Sequence, residues 1–156
     1  MARAWFLAAL GSAALLLAAL GSQYLGGLSP CPMCLWQRWP HLVAALAGLG
    51  LLFTPWRGLA ILGLLAALST SAIGFFHAGV EQGWWEGPTT CAAPDIGGVS
   101  AAELLDQILA APVVRCDEIA WSFAGLSMAA WNGVLSLALA VLWALGLAQA
   151  SNSASQ

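Results

Sequence analysis

Four apolar stretches, each about twenty residues long, leave this chain little choice of fold. They run over residues 5–25, 34–53, 59–79 and 129–148. A bilayer's hydrocarbon core is about 30 Å thick and takes roughly 20 apolar residues as a helix. Inside it every backbone N–H and C=O must be paired within the segment, so a helix is the form such stretches adopt. Each one therefore predicts a transmembrane helix. Composition agrees, because 61% of the residues are hydrophobic, 7% are charged and lysine is absent. A chain like that cannot cover a water-soluble surface. Its 156 residues leave room for a single integral membrane domain. A net charge of -3 with no basic patch excludes a nucleic-acid partner.

The connectors set the topology. Residues 26–30 and the run Thr54-Pro55-Trp56-Arg57-Gly58 are short and carry the Pro and Gly that mark turns. Short connectors make neighbours antiparallel, so the expected fold is an all-α membrane protein, an up-down four-helix bundle. The first stretch has Arg3 before it and small residues at Gly21-Ser22, as a cleaved signal would. Its apolar run is longer than a signal's core and the second helix follows at once, so it is read as a retained span.

Basic residues of short loops mark the cytoplasmic side. Arg3 and Arg57 place both termini there, with the loops over 26–33 and 80–128 on the opposite, outer face. The outer segment from Val80 to Ala120 holds all seven acidic residues and only one arginine, Arg115. All four cysteines, Cys31, Cys34, Cys91 and Cys116, then lie on that face. Within the long loop, Ser100 and Glu103 form a capping box, and Val99 can staple onto Leu104. Leu104, Leu105, Ile108 and Leu109 share a helical face, which predicts a short amphipathic helix over 101–109 lying on the membrane surface. A small helix packed on its own loop is the alternative. Trp84, Trp85 and Trp131 suit the aromatic belt at the interface.

The chemistry concentrates at the second helix. Cys31-Pro32-Met33-Cys34 opens it, and CxxC spacing lets two sulfurs meet across the first turn. The helix N-terminus favours a thiolate there. Arg38 follows Cys34 by four residues, on the same face one turn deeper. An arginine within a span costs about 2.5 to 3.5 kcal/mol on insertion scales. It can snorkel outward, but a guanidinium that serves a thiolate and a ligand's carbonyl oxygen explains the position better. His77 ends the third helix on the outer side, within reach of a ligand near Cys34. His41 is read as packing or lining. Pro40 removes a helical hydrogen bond just below Arg38.

Sequence alone does not choose among the three pairings of four cysteines. A bond between Cys91 and Cys116 would tether the amphipathic segment, either as a staple worth about 3 kcal/mol or as an exchanging pair in an exposed loop. A zinc site is a third reading, but Cys91 and Cys116 lack the close spacing of a ligand pair. A tetraspan scaffold with structural disulfides leaves Arg38 unexplained.

These residues resemble a known family: DsbB, the disulfide bond formation protein B of bacterial inner membranes. The resemblance spans nearly the whole chain. It is carried by Cys31-x-x-Cys34 with Arg38, by His77 ahead of Cys91, and by Cys116-Asp-Glu-Ile-Ala-Trp121-Ser-Phe123-Ala-Gly125-Leu126-Ser-Met128-Ala-Ala-Trp131. It implies that a Cys91–Cys116 disulfide meets a periplasmic thioredoxin-fold oxidase of the DsbA type, with Cys91 attacked. Cys116 would then attack Cys31 and leave Cys34 as a thiolate facing a membrane quinone, ubiquinone or menaquinone. Arg38 would bind the quinone, and His77, Trp121 and Met128 would line its site. A hydrophobic quinone reaches only the pair at the bilayer boundary, and a soluble protein only the loop pair, which fits that order. Pro40, Gln37 (where an acidic residue can stand) and a tail without basic residues depart from the family pattern.

Overall fold

In the computed structural model, the described residues are 2–88, 100, 102, 105, 109 and 114–154. Four long helices dominate them: α1 (Ala2–Tyr24), α2 (Pro32–Phe53), α3 (Arg57–Glu81) and α4 (Met128–Ala154). Between α3 and α4 lies a hairpin of two-residue strands, β1 (Ser122–Phe123) and β2 (Leu126–Ser127), antiparallel with Ser122 opposite Ser127. Its turn places Ala124 and Gly125 at positive φ, the backbone that a two-residue hairpin loop demands.

Local chemistry explains where the helices start. Cys31 caps α2: it is extended, its sulfur accepts from the Cys34 N–H at 3.1 Å, and Pro32 takes the first helical position. The helix therefore begins earlier than the apolar run, which starts at residue 34. Ser127 caps α4, its Oγ accepting from the Ala130 N–H at 3.1 Å.

Each helix packs on two neighbours, in the ring α1–α2–α3–α4–α1. The contacts show every neighbouring pair to be antiparallel. Toward one end Ala9 meets Gly48, Gly50 meets Leu59, Gly63 meets Trp143, and Trp5 meets Gly146. Toward the other, Arg38 reaches Ala19 and Gln23, Thr70 reaches Gln37, and Ser71 reaches Gly133. This is the expected up-down arrangement.

Three helical segments are long and apolar enough to cross a membrane: Ala4–Tyr24, Arg57–Glu81 and Met128–Asn152. In α2 the polar group Gln37, Arg38 and His41 dilutes the apolar run. Large apolar side chains such as Leu17, Leu46, Leu65 and Val141 project outward from all four helices. The amphipathic segment expected over 101–109 lies outside the described residues, apart from Ala102, Leu105 and Leu109.

The end of the bundle that holds Arg57 is closed by small residues. Ala8, Ala9, Ala47, Ala60, Ala67 and Ala140 surround a fully buried Trp143. A Cβ at Gly63 would stand 2.5 Å from that indole, so only glycine admits it. Arg57 Nη2 donates to Ser151 Oγ at 2.7 Å and ties α3 to α4 here. The opposite end carries the cysteines.

Candidate functional site

At the cysteine end, Cys31 is buried and Cys34 half-buried, and both are free thiols. The Cys31 S–H donates to the Cys34 sulfur at 2.7 Å. That hydrogen bond, with burial, pushes the Cys31 thiol well above its ordinary range. The first turn of α2 thus presents two sulfurs in contact, one donating and one accepting. Arg38 adds a positive field at the accepting sulfur.

Cys116 is fully buried and disulfide-bonded. Although 82 residues of chain separate Cys116 from Cys34 and more from Cys31, its sulfur stands close to the CxxC. The Cys31 and Cys116 sulfurs and a His77 ring nitrogen all lie within 4.8 Å of one another. Cys31, Met33, Val80 and Cys116 form one buried cluster, with Cys34 and Val114 packed against it. Two sulfurs and an imidazole at this spacing also suit a metal. The Cys116 sulfur, however, is already bonded to sulfur and is not available as a thiolate ligand. Cys91 lies outside the described residues.

His77 projects into the site from the last turns of α3. Its Nε2 lies 3.6 Å from Cys31 Sγ and 4.0 Å from Glu81 Oε1, and its Nδ1 lies 3.0 Å from Gln37 Nε2. The ring also meets the backbone of Cys116. Beneath it runs a buried polar network across three helices. Asn132 of α4 donates to Gln37 Oε1 at 2.7 Å and to Thr70 Oγ1 at 3.1 Å, and its Oδ1 lies 2.8 Å from His41 Nε2. Thr70 in turn donates to the Gln37 carbonyl at 3.1 Å.

Beside the CxxC opens a cavity of about 500 Å³ whose wall is mainly apolar; Cys34, Arg38, His77, Trp121 and Met128 all line it. Arg38 Nη1 donates to Gln23 Oε1 at 2.6 Å and Nη2 to the Ala19 carbonyl at 3.2 Å, while its buried Nε has no partner among the described residues. The guanidinium is therefore anchored to α1 with a donor left over. Trp121 and Met128 stand at the rim, partly exposed, where the hairpin turns into α4. Trp121 stacks on Phe123, whose carbonyl accepts from Trp131 Nε1 at 2.9 Å. Trp85 stacks on Phe76 and donates to its carbonyl. Trp85 and Trp131 thus tie together the rim at this end of the bundle.

Every sequence-selected residue that the structure describes converges here. Three others were missed. Gln37 stood out only as a departure from the family pattern and was given no role, and the isolation of Asn132 within an apolar run was its available signal. Glu81 follows His77 by one helical turn. Its side chain is buried, it accepts from Ser127, and its Oε2 has no partner among the described residues. A lone acid at the end of an apolar span was the sign of it. On the rim Arg115 binds Asp117 through both carboxylate oxygens, which holds that carboxyl below its ordinary range.

The family pattern of disulfide bond formation protein DsbB matches residues 1–146. Among relatives bearing the name disulfide bond formation protein B, that of Methylococcus capsulatus is 35% identical over 140 residues, covering 81% of this chain and 82% of its own. That of Pasteurella multocida is 34% identical over 154 residues, covering 91% and 83%. That of Polaromonas naphthalenivorans is 34% identical over 136 residues, covering 82% and 80%.

Proposed function

The chain belongs to the DsbB family, and from that premise we propose that it is a membrane thiol oxidase that reoxidises a periplasmic dithiol protein of the DsbA type and passes the electrons to a quinone. One observation carries the reading. The Cys116 sulfur, already in a disulfide, lies within 4.8 Å of Cys31, which itself touches Cys34. Thiol–disulfide exchange needs an attacking sulfur beside a disulfide sulfur, and the fold brings residues distant in sequence to that distance.

In this reading Cys91 is the partner of Cys116 and the sulfur that the soluble dithiol attacks. Freed Cys116 attacks Cys31 of the oxidised CxxC. A bond forms between those sulfurs, the Cys31–Cys34 bond breaks, and Cys34 keeps the electron pair as a thiolate. Arg38 stabilises that charge. The cavity fits a quinone: its wall is mainly apolar, it reaches Cys34, and the partnerless Arg38 Nε offers a donor for a carbonyl oxygen. When bound, the quinone, ubiquinone or menaquinone, supplies a two-electron acceptor. Arg38, His77, Trp121 and Met128 hold and orient it, and the rim tryptophan shields it from water. The basic residues support a multi-pass protein of the bacterial inner membrane with α2 as a fourth span, both termini cytoplasmic and the cysteines periplasmic.

The test is quinone reduction in liposomes with a reduced thioredoxin-fold dithiol as donor. Activity that vanishes in both Cys34→Ser and Cys91→Ser is expected. A folded protein that reduces neither quinone type would instead favour a scaffold stapled by structural disulfides.

A further inference from the structure

Hydrogen-bond inventory at Gln37 fixes more than its own side chain. The Met33 carbonyl can only accept, so the Gln37 atom 3.2 Å from it is the amide nitrogen. The other end of the amide is then the oxygen, and it accepts from Asn132 Nδ2 at 2.7 Å. Asn132 is oriented independently, because the same nitrogen faces the Thr70 carbonyl at 3.4 Å. One Gln37 N–H is spent on Met33. The second points at His77 Nδ1, 3.0 Å away. Nδ1 must therefore accept, the ring is neutral, and its single N–H sits on Nε2. That edge faces Cys31 Sγ at 3.6 Å, Glu81 Oε1 at 4.0 Å and the backbone of Cys116, the acceptors among which its N–H is shared.

We propose that Gln37 is a positioning residue: by holding His77 Nδ1 as an acceptor, it makes His77 a fixed hydrogen-bond donor toward the Cys31 sulfur rather than a base for it. The inference rests on the cysteine relay proposed above. A donor is what that step requires. When a Cys116 thiolate attacks the Cys31–Cys34 disulfide, one sulfur–sulfur bond forms, one breaks, and no proton moves. Negative charge starts on the Cys116 sulfur, which lies within 4.8 Å of a His77 ring nitrogen and of Cys31, and leaves on Cys34. A preorganised N–H beside Cys116 and Cys31 stabilises the attacking thiolate and holds it against the sulfur it attacks.

The titratable and charged groups around this ring and sulfur are Cys34, Arg38 and His41 from α2, Glu81 from α3, and Cys116, Arg115 and Glu118 from the loop, while α4 contributes the neutral Asn132. Replacing Gln37 by glutamate puts an acceptor where the donor stood. The Nδ1 position then gains a proton and the ring becomes an imidazolium beside Cys31.

The test is nitrogen-15 NMR of histidine-labelled full-length protein in detergent at neutral pH, with iodoacetamide alkylation of Cys31 followed across pH by peptide mapping. The wild-type His77 ring is expected to show a bare Nδ1 and a protonated Nε2. In Gln37→Glu both nitrogens are expected to be protonated, with the Cys31 alkylation midpoint lower by about one pH unit. A wild-type ring protonated on Nδ1 overturns the proposal even if the variant fails to fold. So does a folded variant whose ring signals and alkylation profile match wild type. Expected spectra from a wild-type protein that reduces no quinone uphold the Gln37–His77 geometry and sink the relay instead.

Discussion

Around Trp143 the four helices touch through alanine and glycine, whereas around Gln37 they touch through hydrogen bonds between side chains. In a bilayer, helices gain nothing from hiding apolar surface from lipid, so close approach of small residues is the main source of cohesion. The Trp143 end follows that rule throughout, and even leaves the Trp5 and Trp143 indole nitrogens without partners among the described residues. The cysteine end departs from it. Polar groups at that depth are expensive unless satisfied, and each bond they form is worth less than packing would give. A chain that keeps Gln37, His41, Thr70, His77 and Asn132 together has given up stability to fix the orientation of these side chains. One end holds the bundle, and the other uses it.

Substitutions that separate the two ends sharpen this contrast. The largest effect is expected from Cys34→Ser, which removes the sulfur facing the cavity. Quinone reduction should fall to background while the thermal unfolding midpoint stays within a degree or two. A large loss of stability would mean that the cysteine end also holds the bundle. Next comes Trp143→Ala at the opposite end, expected to cost about 3 kcal/mol in reversible unfolding. Turnover per folded molecule should not change; a changed turnover would break the division. Arg38→Ala removes a charged donor worth about 1.5 to 3 kcal/mol. Half-saturation for quinone should rise roughly tenfold to hundredfold, with the value for the dithiol partner unchanged. Equal loss toward both substrates would take Arg38 out of the quinone site.

A smaller effect is expected of Asn132→Ala, which cuts the Gln37 and His41 bonds together. Stability should fall by about 1 kcal/mol, with turnover reduced severalfold as His77 loses its backing. The smallest belongs to Asp117→Asn on the exposed rim. Its carboxyl is held below the ordinary range by Arg115, so any stabilisation is present at neutral pH and is lost as pH falls through that depressed value. Solvent screens such a pair. The unfolding midpoint at neutral pH should match wild type, and a clear drop would show that the rim carries more of the fold than its exposure suggests.

The sequence by itself determined the membrane class, the helix sites and the up-down order, because those follow from local terms: apolar length and turn residues. It also marked Cys31, Cys34 and Arg38 as one constellation, since they share a single helix face and helical spacing is a local property. The pairing of elements across the bundle was not legible in the same way. That His77 meets Cys31, that Cys116 comes within 4.8 Å of it, and that Gln37 stands between His77 and Asn132 all depend on how three helices and a loop rotate against one another. Rotation is set by packing among glycines, alanines and one tryptophan spread over the whole chain, and no window of sequence contains it. The proton on His77 is the extreme case. It follows from a chain of hydrogen bonds beginning at the Met33 carbonyl, and only the assembled tertiary structure closes that chain.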